Sequence, residues 1–321
     1  MRGTARRLGL VAFCAALVAG AGLGVACGLE RIGARADGED DATLGADGGP
    51  LPGEGGPGPS SGDGGDGSVE AEAGPPPPKC EDVCDAGRCD DAGACAFDCN
   101  ALGACSGKVT CPAGVPCKVT CGQSACAQGI DCSKASSCDL GCVGYGSCTG
   151  PIACGGGACD LGCTGQSSCT STVSCDAGAR CEIACTGYGT CFGAVQAHAK
   201  DAVVRCGGQS SCAGAVTCEA PGSCGVECTS YGACYGKVTA NGGTSADVRC
   251  TAQTSCSNGV HSTSADASIA CTGYDACYPK VSCDGGRCGL DCSNSLGCKF
   301  CCQAGACDAG GGATISTSGC P

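Results

Sequence analysis

Residues 142–163 have the sequence CVGYGSCTGPIACGGGACDLGC, and residues 163–185 repeat the pattern as CTGQSSCTSTVSCDAGARCEIAC. Each segment begins and ends with a cysteine and has three more between them, so that four cysteines belong to each repeat, and these alternate with glycine-containing turns and with two short stretches that carry Val, Ile or Leu. A unit of this size that recurs at a fixed spacing is the signature of a solenoid, in which each turn of the chain packs against its neighbours. We call each unit a rung.

Outward from this stretch the same period runs in both directions, which defines four columns of cysteines. The first column recurs every 21 or 22 residues, at Cys99, Cys121, Cys142, Cys163, Cys185, Cys206, Cys228, Cys250, Cys271 and Cys292. The second column is Cys105, Cys126, Cys148, Cys169, Cys191, Cys212, Cys234, Cys256, Cys277 and Cys298. Most rungs add a third column (Cys111, Cys132, Cys154, Cys175, Cys218, Cys283) and a fourth (Cys117, Cys138, Cys159, Cys181, Cys224, Cys288).

The rungs that lack cysteines indicate how the others pair. Three rungs lose the third and fourth cysteines together and carry Ala197 with Ala202, Ala240 with Ala246, and Ser262 with Ala267. Because joint loss is expected of a bonded pair, we predict disulfides between these columns: Cys111–Cys117, Cys132–Cys138, Cys154–Cys159, Cys175–Cys181, Cys218–Cys224 and Cys283–Cys288. The spacing also allows the first column to pair with the second, as in Cys99–Cys105 and Cys142–Cys148, although no joint loss tests that pairing. Either bond requires the chain to turn back, which the glycines allow.

The apolar residues predict the fold class. One lies two positions before each first-column cysteine and another two positions before each third-column position, and residues two apart on a strand face the same side. The expected inward columns are Phe97, Val119, Leu140, Leu161, Ile183, Val204, Val226, Val248, Ile269 and Leu290, and Val109, Ile130, Ile152, Val173, Val195, Val216, Val238, Val260 and Val281. We therefore predict an all-β fold, a disulfide-rich parallel β-solenoid of about ten 21–22-residue rungs preceded by a disordered linker. A string of independent disulfide knots is the alternative, but separate knots are not expected to keep an apolar residue at the same position in every repeat.

The composition agrees with a core of cysteine and excludes several classes of protein. The 321 residues include 42 Cys and 60 Gly but no Trp, one Met, four Phe and six Tyr. So few large apolar side chains cannot fill a Rossmann domain, a TIM barrel or a helical bundle. The net charge of -13 argues against a nucleic-acid partner, since phosphate binding requires a basic surface.

The N-terminal segment predicts export. Arg2, Arg6 and Arg7 precede an apolar run from Leu8 to Ala26, as in a signal peptide over 1–26. Small residues precede Cys27, which resembles a bacterial lipobox and makes Cys27 the candidate lipidation site. Cleavage at a small-residue site such as Ala21 and an uncleaved anchor remain alternatives. In the oxidising compartment outside the cytoplasm, regularly spaced cysteines indicate disulfides.

The remaining domain boundaries follow composition. Residues 27–79 are rich in Gly, Pro, Asp and Glu and predict a disordered tether. Cys80, Cys84, Cys89 and Cys95 suggest an N-terminal cap over 80–98, before a solenoid over 99–298. Cys301, Cys302, Cys307 and Cys320 depart from the period and suggest a C-terminal cap over 299–321.

The leader, tether and cysteine ladder together resemble the Cys-rich repeat lipoproteins of myxobacteria and their relatives, and the repeat is similar to the disulfide-stapled β-solenoids of some insect antifreeze proteins. Some lipoproteins of this type carry the name tryptophan synthase alpha chain. The residues do not support that activity, because a (β/α)₈ barrel needs amphipathic helices between its strands and no helical period is present. The resemblance implies a bacterial outer-membrane or cell-surface location and a membrane partner through the lipid anchor.

One column of side chains suggests a binding surface. Three residues after most first-column cysteines, Tyr145, Tyr188, Tyr231 and Tyr274 alternate with Gln166, Gln209 and Gln253. Gln123, two residues after Cys121, fits before them, so that the side-chain repeat is two rungs long. These residues either form a surface stripe that binds a glycan or form an internal ladder that orders the loops, and the internal ladder is the preferred interpretation.

Other columns give weaker signals. Thr164, Thr186, Thr229, Thr251 and Thr272 follow first-column cysteines, but Gly207 interrupts the array expected of an ice-binding face. Asp139, Asp160 and Glu182 recur at one position and suggest either a cation site or a solvated acidic edge, the latter being preferred. His198 and His261 occupy different positions in the rung and are expected at the surface. The Cys298–Cys301 pair is expected to be structural rather than redox-active or zinc-binding.

These observations predict an exported, lipid-anchored, rigid surface module with a structural or adhesion-like binding role. The expected partners are the membrane and a cell-surface glycan or protein, with no cofactor, no metal and no catalytic site. The alternative is a glycan-binding or glycan-active β-helix of the cell envelope, which would need a cluster of carboxylates that the sequence does not reveal.

Overall fold

The computed structural model describes residues 78–84, 87–293, 299–302, 306–310 and 314–316, all within one compact unit, Glu70–Pro321. The predicted signal peptide, Cys27 and nearly all of the predicted tether lie outside the described residues. A single-turn helix, α1 (Cys80–Val83), precedes the strands. The strands are β1 (Arg88–Cys89), β2 (Cys95–Cys99), β3 (Val109–Thr110), β4 (Pro116–Cys121), β5 (Ile130–Cys132), β6 (Ser137–Cys142), β7 (Ile152–Cys163), β8 (Val173–Cys185), β9 (Val195–His198), β10 (Asp201–Cys206), β11 (Val216–Ala220), β12 (Ser223–Cys228), β13 (Val238–Gly242), β14 (Ser245–Cys250), β15 (Val260–Ser262), β16 (Asp266–Cys271), β17 (Val281–Cys283), β18 (Arg287–Asp291), β19 (Lys299–Cys302), β20 (Ala306–Gly310) and β21 (Thr314–Ser316).

The strands form a parallel β-solenoid of about ten turns, which confirms the predicted fold class. Each rung contributes one strand to an A ladder, which carries the third column, and one strand to a B ladder, which carries the fourth and first columns. In the A ladder Cys154 lies opposite Cys132 and Cys175. In the B ladder Cys206 lies opposite Cys185 and Cys228. Strands β7 and β8 run through both ladders.

The core is narrow and consists of the predicted inward columns. From Val109 to Leu290 every predicted inward apolar residue is buried, and Phe97 near the N-terminal end is partly buried. Cysteine sulfurs fill the space between the apolar columns. The core therefore has one Val, Ile or Leu from each ladder per rung, with sulfur in place of large side chains.

Each described cysteine is disulfide-bonded. Third- and fourth-column cysteines pair in every rung that has both, as in Cys111–Cys117 with Cα atoms 5.9 Å apart and Cys218–Cys224 with Cα atoms 6.0 Å apart. First- and second-column cysteines also pair within each rung from Cys99–Cys105 to Cys271–Cys277. The other pairs between the third and fourth columns are Cys132–Cys138, Cys154–Cys159, Cys175–Cys181 and Cys283–Cys288. The pairs between the first and second columns include the predicted Cys142–Cys148.

The rungs that carry alanine keep the same register. Ala197 lies opposite Cys175 and Cys218, and Ala202 lies opposite Cys181 and Cys224. Backbone pairing therefore continues through rungs that lack one of the two disulfides. The bonds close loops within rungs, whereas the backbone hydrogen bonds join one rung to the next.

The parallel ladders extend into both predicted caps. At the N-terminal end, Cys80–Cys89 and Cys84–Cys95 hold α1 and β1 against β2, which pairs in parallel with β4. At the C-terminal end, Cys302 lies opposite Cys283, and Cys307 lies opposite Cys288. These two cysteines are off the period in the sequence because fewer residues separate Cys298 from Cys302 than separate the second and third columns elsewhere, yet they continue the two columns in space. Among the described residues no helix is both long and apolar enough to cross a membrane.

Candidate functional site

The wide loops that join the B ladder to the A ladder carry the exposed aromatic side chains. A wide loop runs from the residue after a first-column cysteine to the residue before the inward residue of the A strand, and the first–second disulfide closes its first half. Each described second-column cysteine has a left-handed backbone, with φ between 49° and 56°. Two residues earlier the φ is again positive, at Gly146 in one rung and Ser167 in the next. The chain therefore makes a tight turn that the disulfide holds closed.

Backbone hydrogen bonds join each wide loop from Gly122 to Gly259 to both of its neighbours. Gly146 N donates to Gln166 O of the following rung at 3.0 Å, and Cys148 N donates to Ala125 O of the preceding rung at 2.9 Å. The same two bonds recur along the loops, for example from Gly189 N to Gln209 O and from Cys191 N to Ser168 O. The loops are therefore stacked as regularly as the strands, although they are not strands.

A column of buried hydroxyl groups stabilises these turns on their inner side. The residue before the second-column cysteine is a buried Ser or Thr in five rungs, and in four of them, all but that of Ser168, the hydroxyl donates to the carbonyl oxygen three residues earlier. The distances are 2.8 Å for Ser147 to Gly144, 3.0 Å for Thr190 to Gly187, 2.6 Å for Ser211 to Gly208 and 2.7 Å for Ser255 to Ala252. These bonds hold the small residues inward, so that the side chains two positions earlier face solvent.

The four predicted tyrosines lie on the outer side of these loops. Tyr145 is 58% exposed, Tyr188 54%, and Tyr231 and Tyr274 52% each. The preferred expectation of an internal side-chain ladder is therefore wrong, because the ladder that orders the loops is made by backbone groups. The side chains themselves are presented to solvent at every second rung.

A second aromatic column accompanies the tyrosines, which the sequence analysis missed. Phe192, Tyr235 and Tyr278 directly follow second-column cysteines and are more than half exposed. The signal was available, since each stands four residues after a stripe tyrosine. We define the aromatic face as Tyr145, Tyr188, Phe192, Tyr231, Tyr235, Tyr274 and Tyr278. It contains all six tyrosines of the chain.

Polar side chains lie between and beside the aromatic residues. Gln123, Gln166, Gln209 and Gln253 are exposed in the alternate rungs, as are Thr164, Thr186, Thr229 and Thr251 next to the first-column cysteines. A methyl group placed on Gly207 would lie 3.6 Å from Thr186 Cγ2 and 3.8 Å from Thr229 Oγ1. The threonines thus form one column in space with a single gap. The wide loops from Gly122 to Lys280 carry only three charged residues, which are Lys237, Asp275 and Lys280.

The charged residues of the B ladder, by contrast, pair with one another. Asp139 contacts Lys118 at 3.1 Å, and Asp160 contacts Arg180 at 3.4 Å. Glu182 contacts both Arg180 and Arg205. These acidic groups, considered above as a cation site, therefore lie in an ion-paired ladder rather than in an open cage of oxygen ligands.

Two other carboxylates have structural roles. The hydrogen bond from Lys108, with a further one from the Ser133 hydroxyl, lowers the pKa of Asp131 to about 2 against its partial burial. The distance from Lys108 Nζ to Asp131 Oδ2 is 2.8 Å. Asp201 accepts hydrogen bonds from the Ser223 hydroxyl and backbone N–H, which lower its pKa. Both acids join one rung to the next.

The two histidines lie at different positions, as expected, but each has a side-chain partner that the sequence analysis missed. His198 Nε2 lies 3.4 Å from Glu219 Oε2, where the corner turns between the third and fourth columns form a groove of about 660 Å³ lined in part by Asp176, Asn241 and Thr263. His261 Nδ1 lies 2.9 Å from Ser282 Oγ in the A ladder. Burial lowers the pKa of His261, and the carboxylate of Asp284 at 3.9 Å partly opposes that effect.

Cysteine chemistry is not available at the described residues. Sulfur atoms of neighbouring rungs approach one another closely, as those of Cys121, Cys126 and Cys148 do within 4.8 Å, but all three belong to disulfides. Cys301 of the predicted C-x-x-C pair is buried and disulfide-bonded, and Cys298 lies outside the described residues. Such extensive disulfide bonding is compatible with an extracytoplasmic location.

No family model, curated protein or solved structure matches the chain.

Proposed function

We propose that the protein is an exported, lipid-anchored surface module without catalytic activity, which binds an extended carbohydrate polymer on its aromatic face. The observation that carries this proposal is the alignment of seven exposed aromatic side chains along alternate wide loops. Aromatic rings that stack on sugar rings, with amide and hydroxyl groups beside them for hydrogen bonding, are the chemistry that a carbohydrate requires.

The scaffold suits a binding role because its loops are ordered before any ligand arrives. Each wide loop from Gly122 to Gly259 is held by a disulfide and by backbone bonds to two neighbours, as with Cys185–Cys191 and the bond from Cys191 N to Ser168 O. A preorganised surface loses little conformational entropy on binding. Rigid aromatic side chains add contact area at a low entropic cost.

The leader, the tether and the disulfides support the proposed location. A lipid on Cys27 would attach the chain to a bacterial outer membrane, and residues 28–79 would hold the solenoid away from the lipid surface. The disulfides require an oxidising compartment to form and persist. The resemblance to Cys-rich repeat lipoproteins leads to the same proposal.

A glycan array with purified protein tests the function. We expect binding to one or more polysaccharides, and we expect Tyr188→Ala combined with Tyr231→Ala to weaken it strongly. Lys118→Ala, on the outward side of β4, is the matched surface control and should bind as the unmodified protein does. An absence of carbohydrate binding, or binding unchanged in the double variant, would overturn the proposal.

A second candidate function, glycan hydrolysis, has one observation in its favour. In the corner-turn groove Asp176, His198 and Glu219 lie opposite one another on consecutive rungs. The backbones that carry the two carboxylates are thus two rungs, about 9.6 Å, apart, just above the range of about 6.5 to 9.5 Å that separates the carboxyl groups of inverting glycosidases. Release of reducing sugars that is abolished by Glu219→Gln would support this candidate. No release of sugar from the polysaccharides that bind would exclude it.

A further inference from the structure

The aromatic face has a repeat twice as long as that of the backbone. Backbone register recurs in every rung, but Tyr and Gln alternate without a break from Gln123 to Tyr274. Parallel strands lie about 4.8 Å apart, so equivalent tyrosines are separated by about 9.6 Å along the coil axis. A ligand that contacts the tyrosines in the same way must repeat at this distance.

The charge of the face limits the chemistry of that ligand. The whole chain has a net charge of -13, yet the wide loops from Gly122 to Lys280 hold two lysines and one aspartate. A polyanion would meet no basic column on this face and would be repelled by the rest of the chain. A polycation would find its acidic partners on the B ladder, where Asp139, Asp160 and Glu182 are already ion-paired. The complementary ligand is uncharged.

The spacing distinguishes between uncharged polymers. An extended polypeptide presents side chains to one face every two residues, about 6.7 Å, and loses register with the tyrosines after one repeat. In a β-1,4-linked chain of hexopyranose sugars, each sugar is turned over relative to the one before, so the same sugar face recurs at every second unit. The two-sugar repeat of such a chain has nearly the same length as two rungs.

On this basis, and resting on the function proposed above, we infer that the aromatic face binds an unbranched, uncharged β-1,4-linked polysaccharide with its long axis parallel to the coil axis. One sugar lies over each rung, and alternate sugars stack on Tyr145, Tyr188, Tyr231 and Tyr274. The sugars between them lie over the glutamine rungs and accept or donate hydrogen bonds there. The second aromatic column, Phe192, Tyr235 and Tyr278, widens three of the four stacking positions.

The length of the aromatic face predicts how affinity depends on oligosaccharide length. Tyr145 and Tyr274 are six rungs apart, about 29 Å. Oligomers of β-1,4-linked glucose or N-acetylglucosamine should therefore gain affinity with each added pair of sugars until about seven sugars span the face. Each further aromatic contact should raise the affinity by about 2-fold to 10-fold. Longer oligomers should show no further gain per site.

An exchange of residues between neighbouring rungs tests the register directly. Tyr188→Gln combined with Gln209→Tyr keeps the number of aromatic rings but breaks their two-rung spacing. Both loops have a left-handed residue at the next position, Gly189 and Ser210, and the same backbone bonds to their neighbours, so the exchanged chain should fold. Tyr188→Phe is the matched control because it keeps a ring in register. The absence of free thiols and an unchanged circular dichroism spectrum establish the fold of each variant.

Isothermal titration calorimetry with the oligomer series separates the outcomes. The inference is supported if the exchanged variant loses about 2-fold to 10-fold in affinity for long oligomers while Tyr188→Phe does not. Unchanged affinity in the exchanged variant, or binding confined to α-linked, branched or acidic polysaccharides, overturns the inference and leaves the proposed function standing. If the protein binds no carbohydrate but forms dimers in sedimentation that Tyr188→Ala abolishes, the face is a contact between two copies, and both proposals fail.

Discussion

The two kinds of disulfide in each rung should respond in opposite ways to the same glycine substitution. Cys212, in the second column, has a φ of 51°, whereas Cys224, in the fourth column, lies within the extended strand β12. Both bonds close loops of six-residue separation, Cys206–Cys212 and Cys218–Cys224. The bonds therefore restrict the unfolded chain equally, and differ in the backbone conformation that they hold.

The expected magnitudes follow from loop length and backbone conformation. Replacing either pair by two alanines should lower the free energy of unfolding by about 2 kcal/mol, which is the loop-closure contribution for a loop of this length. Cys206→Ala with Cys212→Gly should then recover about 1 kcal/mol of the loss, because glycine adopts the left-handed conformation that alanine resists. Cys218→Ala with Cys224→Gly should instead lose a further 0.5 to 1 kcal/mol, about the cost of glycine in a strand.

Equilibrium unfolding in guanidinium chloride under non-reducing conditions measures these differences. The midpoint should change while the slope stays constant, and mass spectrometry should show that the other disulfides are intact. The rung that naturally carries Ala240 and Ala246 shows that the disulfide between the third and fourth columns can be absent without loss of strand register. If glycine is no better than alanine at position 212, or better than alanine at position 224, the account of the wide loop as a left-handed turn held by sulfur is wrong.

Four further outcomes are expected. Gly208→Ala should cost about 3 kcal/mol, because its Cβ would lie 1.9 Å from a carbonyl oxygen of the preceding rung, whereas Gly207→Ala, with 3.6 Å to its nearest neighbour, should change stability by less than about 0.5 kcal/mol in a denaturant titration. Asp131 has a pKa of about 2 in the folded chain and 3.8 otherwise, so its contribution should be fully present above pH 4 and lost as the pH falls towards 2; thermal melts of Asp131→Asn should lack this component. Burial lowers the pKa of His261, so its NMR titration midpoint should lie below 6.5. Because the unfolded chain then binds this proton more readily than the folded chain does, the free energy of unfolding should decrease as the pH falls below 6.5. A thiol assay on unreduced, denatured protein should detect no free thiol from the described cysteines, and reduction should abolish cooperative unfolding.

Two faces of the solenoid differ in a way that bears on its proposed role. On the B ladder, charged side chains satisfy one another across rungs, as Arg205 does with Glu182 and Glu227. On the wide loops, the stripe tyrosines and the glutamines of the alternate rungs are exposed to solvent. Exposed rings offer apolar surface that a ligand can cover, whereas the charged groups of the B ladder already satisfy one another, which supports the proposal that a ligand binds at the wide loops.

The sequence alone determined the fold class and most of the core. Along a strand, side-chain direction alternates with a period of two, so the position of Val204 relative to Cys206 already places both inside, and the constant spacing places each rung above the last. The joint loss at Ala197 and Ala202 indicated which cysteines pair. These inferences depend on local geometry or on chain spacing, both of which can be read without coordinates.

Only the tertiary structure decided the outward direction of the stripe tyrosines and their association with Phe192, Tyr235 and Tyr278. In the wide loops the direction of a side chain depends on left-handed residues and on backbone bonds to the rungs above and below, and neither follows a simple period in the sequence. The contact between His198 and Glu219 and the return of Cys302 to the third column have the same origin. They arise because residues about twenty positions apart become neighbours once the chain has coiled, and the exact length of each turn sets which residues meet.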